Sequence, residues 1–259
     1  LTMAWPKEYG GQAAPHIRQL IFNEEMSYRG IPAVDAGITQ VGPIIMLFGT
    51  DEQKKYFLPK ISNAEIDWTQ GYSEPDAGSD LAGLQTRAIE DGDDFLVTGS
   101  KIWNGAHSGA NWMFMLVRTD PDAPKHRGIS FLVAEMKSEG ITVEPIPMMW
   151  DHSRALITLE NVRVPKKNLI GELNRGWYVG AALLDFERSG IGYASNASKL
   201  IKELVQYTKE TTRNGKLLSE DPIIRNELAT MAVEIETAKM MAYSVAWMQS
   251  KSDIPNKEA

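Results

Sequence analysis

The hydrophobic period of this chain changes twice, and that change limits what it can fold into. From residue 94 to 165 the apolar residues recur in short runs of strand character: "DFLVTGSKIWNG" (94–105), "NWMFMLVRT" (111–119), "GISFLVAEM" (128–136), "GITVEPIPM" (140–148) and "RALITLENVRVP" (154–165). These runs are rich in Val, Ile, Phe and Thr, and "EDGDD", "DPDAPKHRG" and "KSEG" between them carry turn chemistry. Five or more such strands in roughly 100 residues predict a compact antiparallel barrel or sandwich. On either side the period is helical. Ile17, Leu20, Ile21 and Met26 predict a helix over 14–30 with Gly30 as its stop, and a second apolar segment covers about 34–48. "GTDEQKKYFLPKI" predicts another helix, with Thr50 as N-cap and Asp51 and Glu52 in the first turn, where the helix dipole favours acids. After Gly176 the spacing predicts one helix over about 176–213 and another over about 222–250, separated by "RNGKLLSEDP". Helices, then strands, then helices imply an α+β multidomain protein rather than a doubly wound sheet. The expected divisions are a helical domain at 1–67, a β domain at 68–172 and a helical domain at 173–259. No internal repeat is visible.

Composition removes several function classes. The chain of 259 residues carries a net charge of −7, which argues against a nucleic-acid backbone as main partner, because phosphate binding needs a basic surface. There is no cysteine, which excludes disulfides, thiolate nucleophiles and zinc–thiolate sites and fits a reducing compartment. The strongest apolar run, near Ile44–Phe48, is too short to span a membrane. "LTMAWPKEYGG" lacks the basic start and apolar segment of a signal peptide, and its missing initiator Met places the expected start of the protein upstream.

Familiar sites are missing from the sequence. It has no G-x-S-x-G elbow, P-loop or G-x-G-x-x-G; "GIGYAS" (190–195) lacks the third Gly and falls in a helical pattern. His16, His107, His126 and His152 have no metal-ligand spacing, and "EDGDD" lacks the distal Glu of a calcium loop, so no metal site is expected. Three features remain. The stretch "QGYSEPDAGSD" (70–80) is small-featured and acidic; Gly78 and Ser79 can present bare N–H groups, and Ser73 and Ser79 add hydroxyls. It reads either as a solvated turn or as a cradle for a flat, acceptor-rich ring. Trp103 ends a strand, where an indole is either core filler or a surface for a planar ligand. Glu187 falls in register with Leu184, Ile191 and Ala194 on an apolar stripe. A carboxylate buried there without a full partner would have a raised pKa suited to a general base. An ion pair is the competing reading, because Arg188 adjoins Glu187 and Asp185 with Arg188 makes an i,i+3 pair.

Together "WPKEYGG", "GTDEQKKYFLPKI", "GYSEPDAGSD", "GSKIW", "VRVPKKNLIGELNRGW" and "LLDFER" resemble the flavin-dependent acyl-CoA dehydrogenase family, in its order and spacing and over nearly the whole chain. The resemblance implies an N-terminal α-helical domain, a central antiparallel β-barrel and a C-terminal α-helical bundle that is incomplete here, the family running further at both ends. It implies FAD as cofactor and an acyl-CoA substrate. Gln70, Tyr72, Ser73 and Gly78 would lie against the flavin, and Ser79 where FAD and the CoA arm meet. Trp103, Asn104 and Gly105 would flank the isoalloxazine, and Asp185 and Arg188 would face the acyl-CoA. Glu187 matches one of the two places where the family carries its catalytic base. The implied reaction is α,β-dehydrogenation of an acyl thioester to a trans-2-enoyl thioester, in fatty acid or sterol side-chain metabolism. The implied assembly is a homo- or heterotetramer passing electrons to an electron-transfer flavoprotein, in a bacterial cytoplasm or, in a eukaryote, the mitochondrial matrix.

Two departures bear on this expectation. The family often has a hydroxyl residue two after the Trp, where this chain has Gly105. Its cross-subunit FAD segment commonly reads Arg-x-x-Phe-Gly; here "TTRNG" displaces Arg213, which reads either as a solvated cation or as a cofactor-binding partner of the ADP pyrophosphate, and puts Asn214 in place of Phe. That pattern resembles the branch forming mixed tetramers, in which one chain lacks some FAD contacts. A non-catalytic subunit is therefore a second expectation, and a flavin oxidase or monooxygenase on the same fold a third.

Overall fold

The computed structural model describes residues 1–31, 36–106, 109–149, 154–188 and 190–251, and the side chains of Glu187 and Arg188 lie outside that description. The helices and strands are α1 (His16–Tyr28), α2 (Gly42–Phe48), α3 (Asp51–Ser62), β1 (Trp68–Gly71), β2 (Arg87–Asp91), β3 (Asp94–Asn104), β4 (Trp112–Arg118), β5 (Ile129–Glu135), β6 (Ile141–Ile146), β7 (Arg154–Pro165), β8 (Leu169–Ile170), α4 (Gly176–Arg188), α5 (Gly192–Glu210), β9 (Thr212–Arg213), β10 (Lys216–Leu217) and α6 (Pro222–Ser250). A π-helical turn at Gly37–Val41 leads into α2. Contacts divide the chain into two units. One holds Leu1–Lys7, Gly11–Ala33 and Glu187–Ala259; the other holds Glu8–Gly10 and Val34–Phe186.

The second unit is built on an eight-stranded sheet in the order β6-β7-β3-β2-β4-β5-β8, with β1 pairing β4 off that path. The long pairings β3–β7, β4–β5 and β6–β7 are antiparallel, as expected. The short β1 instead runs parallel to β4, with Trp68 opposite Trp112 and Gly71 opposite Met115. From Trp112 to Val117 every residue of β4 is buried, because both faces are covered. Met113, Met115 and Val117 join Phe95, Val97, Leu132, Ile157 and Val162 in the interior cluster of the sheet. On the other face Trp112 meets Phe57 of α3 edge-on at 4.9 Å, Phe114 stacks on Phe131 at 6.0 Å, and Tyr72 meets Phe114 edge-on at 6.1 Å. This aromatic ladder fixes the chain that leaves β1 for the 72–80 loop.

Local chemistry starts α3 as the sequence predicts. Gln53 N–H donates to Thr50 Oγ1 at 3.3 Å, while Gln53 Oε1 accepts from the Thr50 N–H at 2.8 Å, a reciprocal capping box.

The first unit packs α1, α5 and α6 around a small core of Leu20, Ile191, Ala242 and Ala246. Here the structure corrects one expectation. The segment 176–213 is two helices, because α4 ends at Arg188 and α5 starts at Gly192. A glycine at 190 carries the highest backbone entropy cost of any residue in a helix and weakens the ladder there. Ile191 and Ala194 therefore do not continue the α4 stripe; Ile191 sits in the first unit's core with Leu20, Ala242 and Ala246, and Ala194 is buried on α5. The "RNGKLLSEDP" connection also holds a hairpin: β9 and β10 flank Asn214 (φ +53°) and Gly215 (φ +76°). Two left-handed residues in an Asn-Gly pair make the turn whose twist suits paired strands. Among the described residues, no helix is long and apolar enough to cross a membrane.

Candidate active site

Eight of the expected site residues lie in the sheet-containing unit, on the chain leaving β1 and at the end of β3. Gln70 belongs to β1, and Tyr72 follows it, buried beneath the ladder with its hydroxyl 3.4 Å from the Gly180 carbonyl of α4. Ser73 is half-buried, and its carbonyl accepts a 2.8 Å hydrogen bond from the Ile102 N–H, so the loop is seated directly against the end of β3. Glu74 and Ala77 then bond each other N–H to carbonyl in both directions, closing a tight turn that leaves Gly78 and Ser79 exposed. A Cβ placed on Gly78 would meet nothing within 4 Å, and the same holds for Gly105.

Trp103 has an unusual conformation. The β3–β7 register jumps between Ile102 and Asn104, which face Leu156 and Ala155, so Trp103 is the extra residue of a bulge. Its φ is +65°, where a bulky residue is a rarity, and its indole is 56% exposed. Bulges re-aim side chains at the rims of barrels. Core filling is thereby excluded for this indole. Asn104 is turned inward: its Nδ2 donates to the Lys101 carbonyl at 3.4 Å and its Oδ1 accepts from Ala106 N–H at 3.1 Å. Its side chain braces the bulge, and a contact with an outside ligand would fall to its backbone.

The loop rests on an ion pair that sequence reading missed. Lys101 is fully buried, and its Nζ donates to Glu74 Oε1 at 2.8 Å, to the Leu116 carbonyl at 2.7 Å and to the Tyr72 carbonyl at 3.3 Å. Three acceptors use all three ammonium hydrogens. Glu74 in turn accepts from Gln85 N–H at 2.6 Å and Thr86 N–H at 2.9 Å. Burial pushes the Lys101 amine down to about 8, against the pull of the Glu74 carboxylate. Burial also raises the Glu74 carboxyl, but the charge of Lys101 and the hydrogen bonds from Lys101, Thr86 and Gln85 outweigh it and hold the group below its usual value. Both directions leave the pair ionised at neutral pH. A signal was present in the sequence. Lys101 falls on the same strand face as Val97 and Phe95, where strict alternation puts a buried residue.

The remaining expected residues are elsewhere. Asp185 is half-buried on α4. Arg213 lies on the β9 hairpin of the other unit, exposed, 3.4 Å from Asp221, the N-cap of α6. His107 and His152 lie outside the described residues, and among the described residues no cluster of three metal-ligating side chains occurs. A cavity of about 970 Å³ lies between α3 and the ends of β4, β5 and β7 and includes none of these residues. Two of its cations are paired, Arg163 with Asp91 and Asp94 and Lys166 with Glu90, and Lys167 lines it as well.

Helices on either side of a β domain, with an exposed indole on a bulge of β3, define an α+β class of protein. The particular family follows from comparison with known proteins. The acyl-CoA dehydrogenase N-terminal, middle and C-terminal domain patterns match residues 1–65, 69–162 and 174–259 in turn. Acyl-CoA dehydrogenase FadE26 of Mycobacterium tuberculosis is 37% identical over 96% of this chain and 64% of its own length. The solved Tcur3481-Tcur3483 steroid ACAD superposes with a TM-score of 0.88 at 34% identity, over 98% of this chain and 65% of that one. The ChsE4-ChsE5 complex from Mycobacterium tuberculosis does so at 0.86 and 36% identity, over 96% of this chain and 65% of that one. The chain belongs to the acyl-CoA dehydrogenase family and spans a little under two thirds of these relatives.

Proposed function

We propose that this chain is the greater part of an FAD-dependent acyl-CoA dehydrogenase that converts an acyl thioester to its trans-2-enoyl product. The observation that carries the reading is the bulge at Trp103: an indole held outward at a strained backbone angle, one residue from the strand bond that seats Ser73. A Cβ on Gly105, two residues after Trp103, would meet nothing within 4 Å, and neither would one on Gly78. The residues fit FAD. Ser73 and Ser79 would offer hydroxyls, and Gly78 and Gly105 backbone N–H groups, to the edge of its ring and its phosphates. When bound, FAD would supply the acceptor for a hydride from the substrate β-carbon.

The protein's part is position and proton transfer. Glu187 would take the α-proton as general base. Gly180 packs under Tyr72 and Leu116, where an added Cβ would sit 3.1 Å from each. Glu187 lies seven positions after it on α4. Asp185 and Arg188 on the last turn of the same helix would orient the CoA ester. A Glu187→Gln variant is expected to keep its yellow FAD and lose ~10²–10⁴-fold in flavin bleaching by an acyl-CoA under anaerobic conditions. Full bleaching in that variant would place the base elsewhere.

The domain divisions at 1–67, 68–172 and 173–259 go with this reading. Assembly as a homo- or heterotetramer is supported by the apolar side chains that α5 and α6 leave exposed, among them Leu200, Leu204, Val233 and Met240. A specific observation favours a second reading, a subunit of a mixed assembly with an incomplete FAD site. Gly105 offers the flavin no hydroxyl, and Arg213 is engaged with Asp221. Two of the solved relatives carry paired names, which is in keeping with such a mixture. FAD content per chain separates the two: about one per copy supports the dehydrogenase, and about one per two different chains supports the mixed assembly. An electron-transfer flavoprotein as acceptor goes with the first reading; rapid reoxidation of the reduced flavin by air would favour an oxidase or monooxygenase instead.

A further inference from the structure

We propose that the buried Lys101–Glu74 ion pair is a positioning device for the flavin-facing rim: it sets the pose of Ser73 and Trp103 together, and the cofactor's affinity depends on it. This inference rests on the flavin reading of that rim.

Four segments meet at the pair. Lys101 grips the Tyr72 carbonyl, one residue before Ser73, and the Leu116 carbonyl of β4. Glu74 grips the backbone N–H groups of Gln85 and Thr86, where the chain returns from the loop to β2. Both sides of the 72–86 excursion are therefore tied to a single lysine on β3. Two residues beyond that lysine, β3 makes its bulge and presents Trp103. The bond from Ile102 N–H to the Ser73 carbonyl lies between the two and closes the frame. Lys101 and Glu74 touch nothing outside the fold, since the one is wholly buried and the other 7% exposed. Neither can contact a ligand, so both act through Ser73 and Trp103.

A buried charge pair is a poor way to obtain stability alone. Apolar residues of similar volume often do as well or better, whereas removing one partner leaves an uncompensated buried charge. What the pair supplies is direction: an ammonium with three acceptors at fixed places accepts one loop geometry, which apolar packing does not.

The test is a pair of variants of the full chain. Lys101→Met with Glu74→Gln keeps bulk and removes both charges; Lys101→Met alone leaves Glu74 stranded. The double variant is expected to keep a melting temperature near that of the parent. It is also expected to lose at least tenfold in FAD affinity by flavin fluorescence titration, and to lose the resolved shoulders of the bound flavin absorption band. The Ile102 amide should lose at least tenfold in hydrogen-exchange protection while the amides of β4 and β5 keep theirs. A double variant that binds FAD with parental affinity and spectrum overturns the proposal, as does one whose amides all lose protection equally, because that is a stability role. A parent that binds no FAD, alone or with a partner subunit, overturns the flavin reading itself, and the proposal with it, and is recognised without any variant.

Discussion

At the scale of the residue, Trp103 is the position where sequence and structure pull against each other. A large aromatic side chain in the left-handed region costs on the order of 1–3 kcal/mol, and here its indole is also left largely in water. Glycine takes that conformation freely but adds about 0.5–1 kcal/mol of unfolded-chain entropy. Trp103→Gly should therefore not destabilise the fold much, because the strain released offsets the entropy added. A Trp buried in a core would cost ~3–5 kcal/mol on truncation to alanine. We expect the variant to melt within a few degrees of the parent and to bind FAD at least tenfold more weakly. A melting temperature lowered by more than about 10 °C would show the indole to be structural after all.

Among the elements, β3 carries the strain on which the rim is built. It has two register shifts, one on each side of Lys101, and the first is at Gly99. Gly99 has φ +152°, and a Cβ there would stand 2.5 Å from Thr86 Oγ1 and 2.6 Å from Thr86 Cα. The backbone atom cannot rotate away. Gly99→Ala should push Thr86 off, and with it the Thr86 N–H that Glu74 accepts. The expected outcome is a loss of ~1–3 kcal/mol, read by denaturant titration, with the Thr86 amide deprotected first. Unchanged protection at Thr86 would refute the coupling. The strands themselves were legible because β3, β4, β5 and β7 are runs of Val, Ile, Phe and Leu. β1 and β2 were not. "WTQG" is four residues long and pairs in parallel, and "RAIED" shows a single buried position, so neither has a period to detect. The bulge was equally hidden, because nothing in "KIWNG" distinguishes a Trp that follows the pleat from one thrown out of it. The Glu74–Lys101 pair lay within two quoted strings, but a lysine on a strand reads as surface until alternation is counted through it.

For the molecule as a whole, acid is the condition that should loosen both units, through carboxylates held ionised. In the sheet unit this is Glu74. In the helical unit it is Glu24 of α1, which accepts from Lys239 Nζ at 2.8 Å and Tyr243 hydroxyl at 2.5 Å, both on α6. Burial raises the Glu24 carboxyl, but the hydrogen bonds from Lys239 and Tyr243 and the charge of Lys239 outweigh that and leave it lowered. A carboxyl whose native value lies below its unfolded value contributes stability that is fully present above the unfolded pKa, about 4.3. That contribution is lost as pH falls through the native value, because the unfolded chain takes up the proton first. Glu24→Gln should therefore lower the melting temperature at neutral pH, where it removes an ionised acceptor between α1 and α6. The difference from the parent should shrink as pH falls through the native value of Glu24, where the parent's carboxyl takes up its proton. The convergence is the diagnostic. The small apolar core of Leu20, Ile191, Ala242 and Ala246 is indifferent to pH, so a gap between parent and variant that stayed constant from neutral to acid would assign the α1–α6 contact to packing and not to this carboxylate.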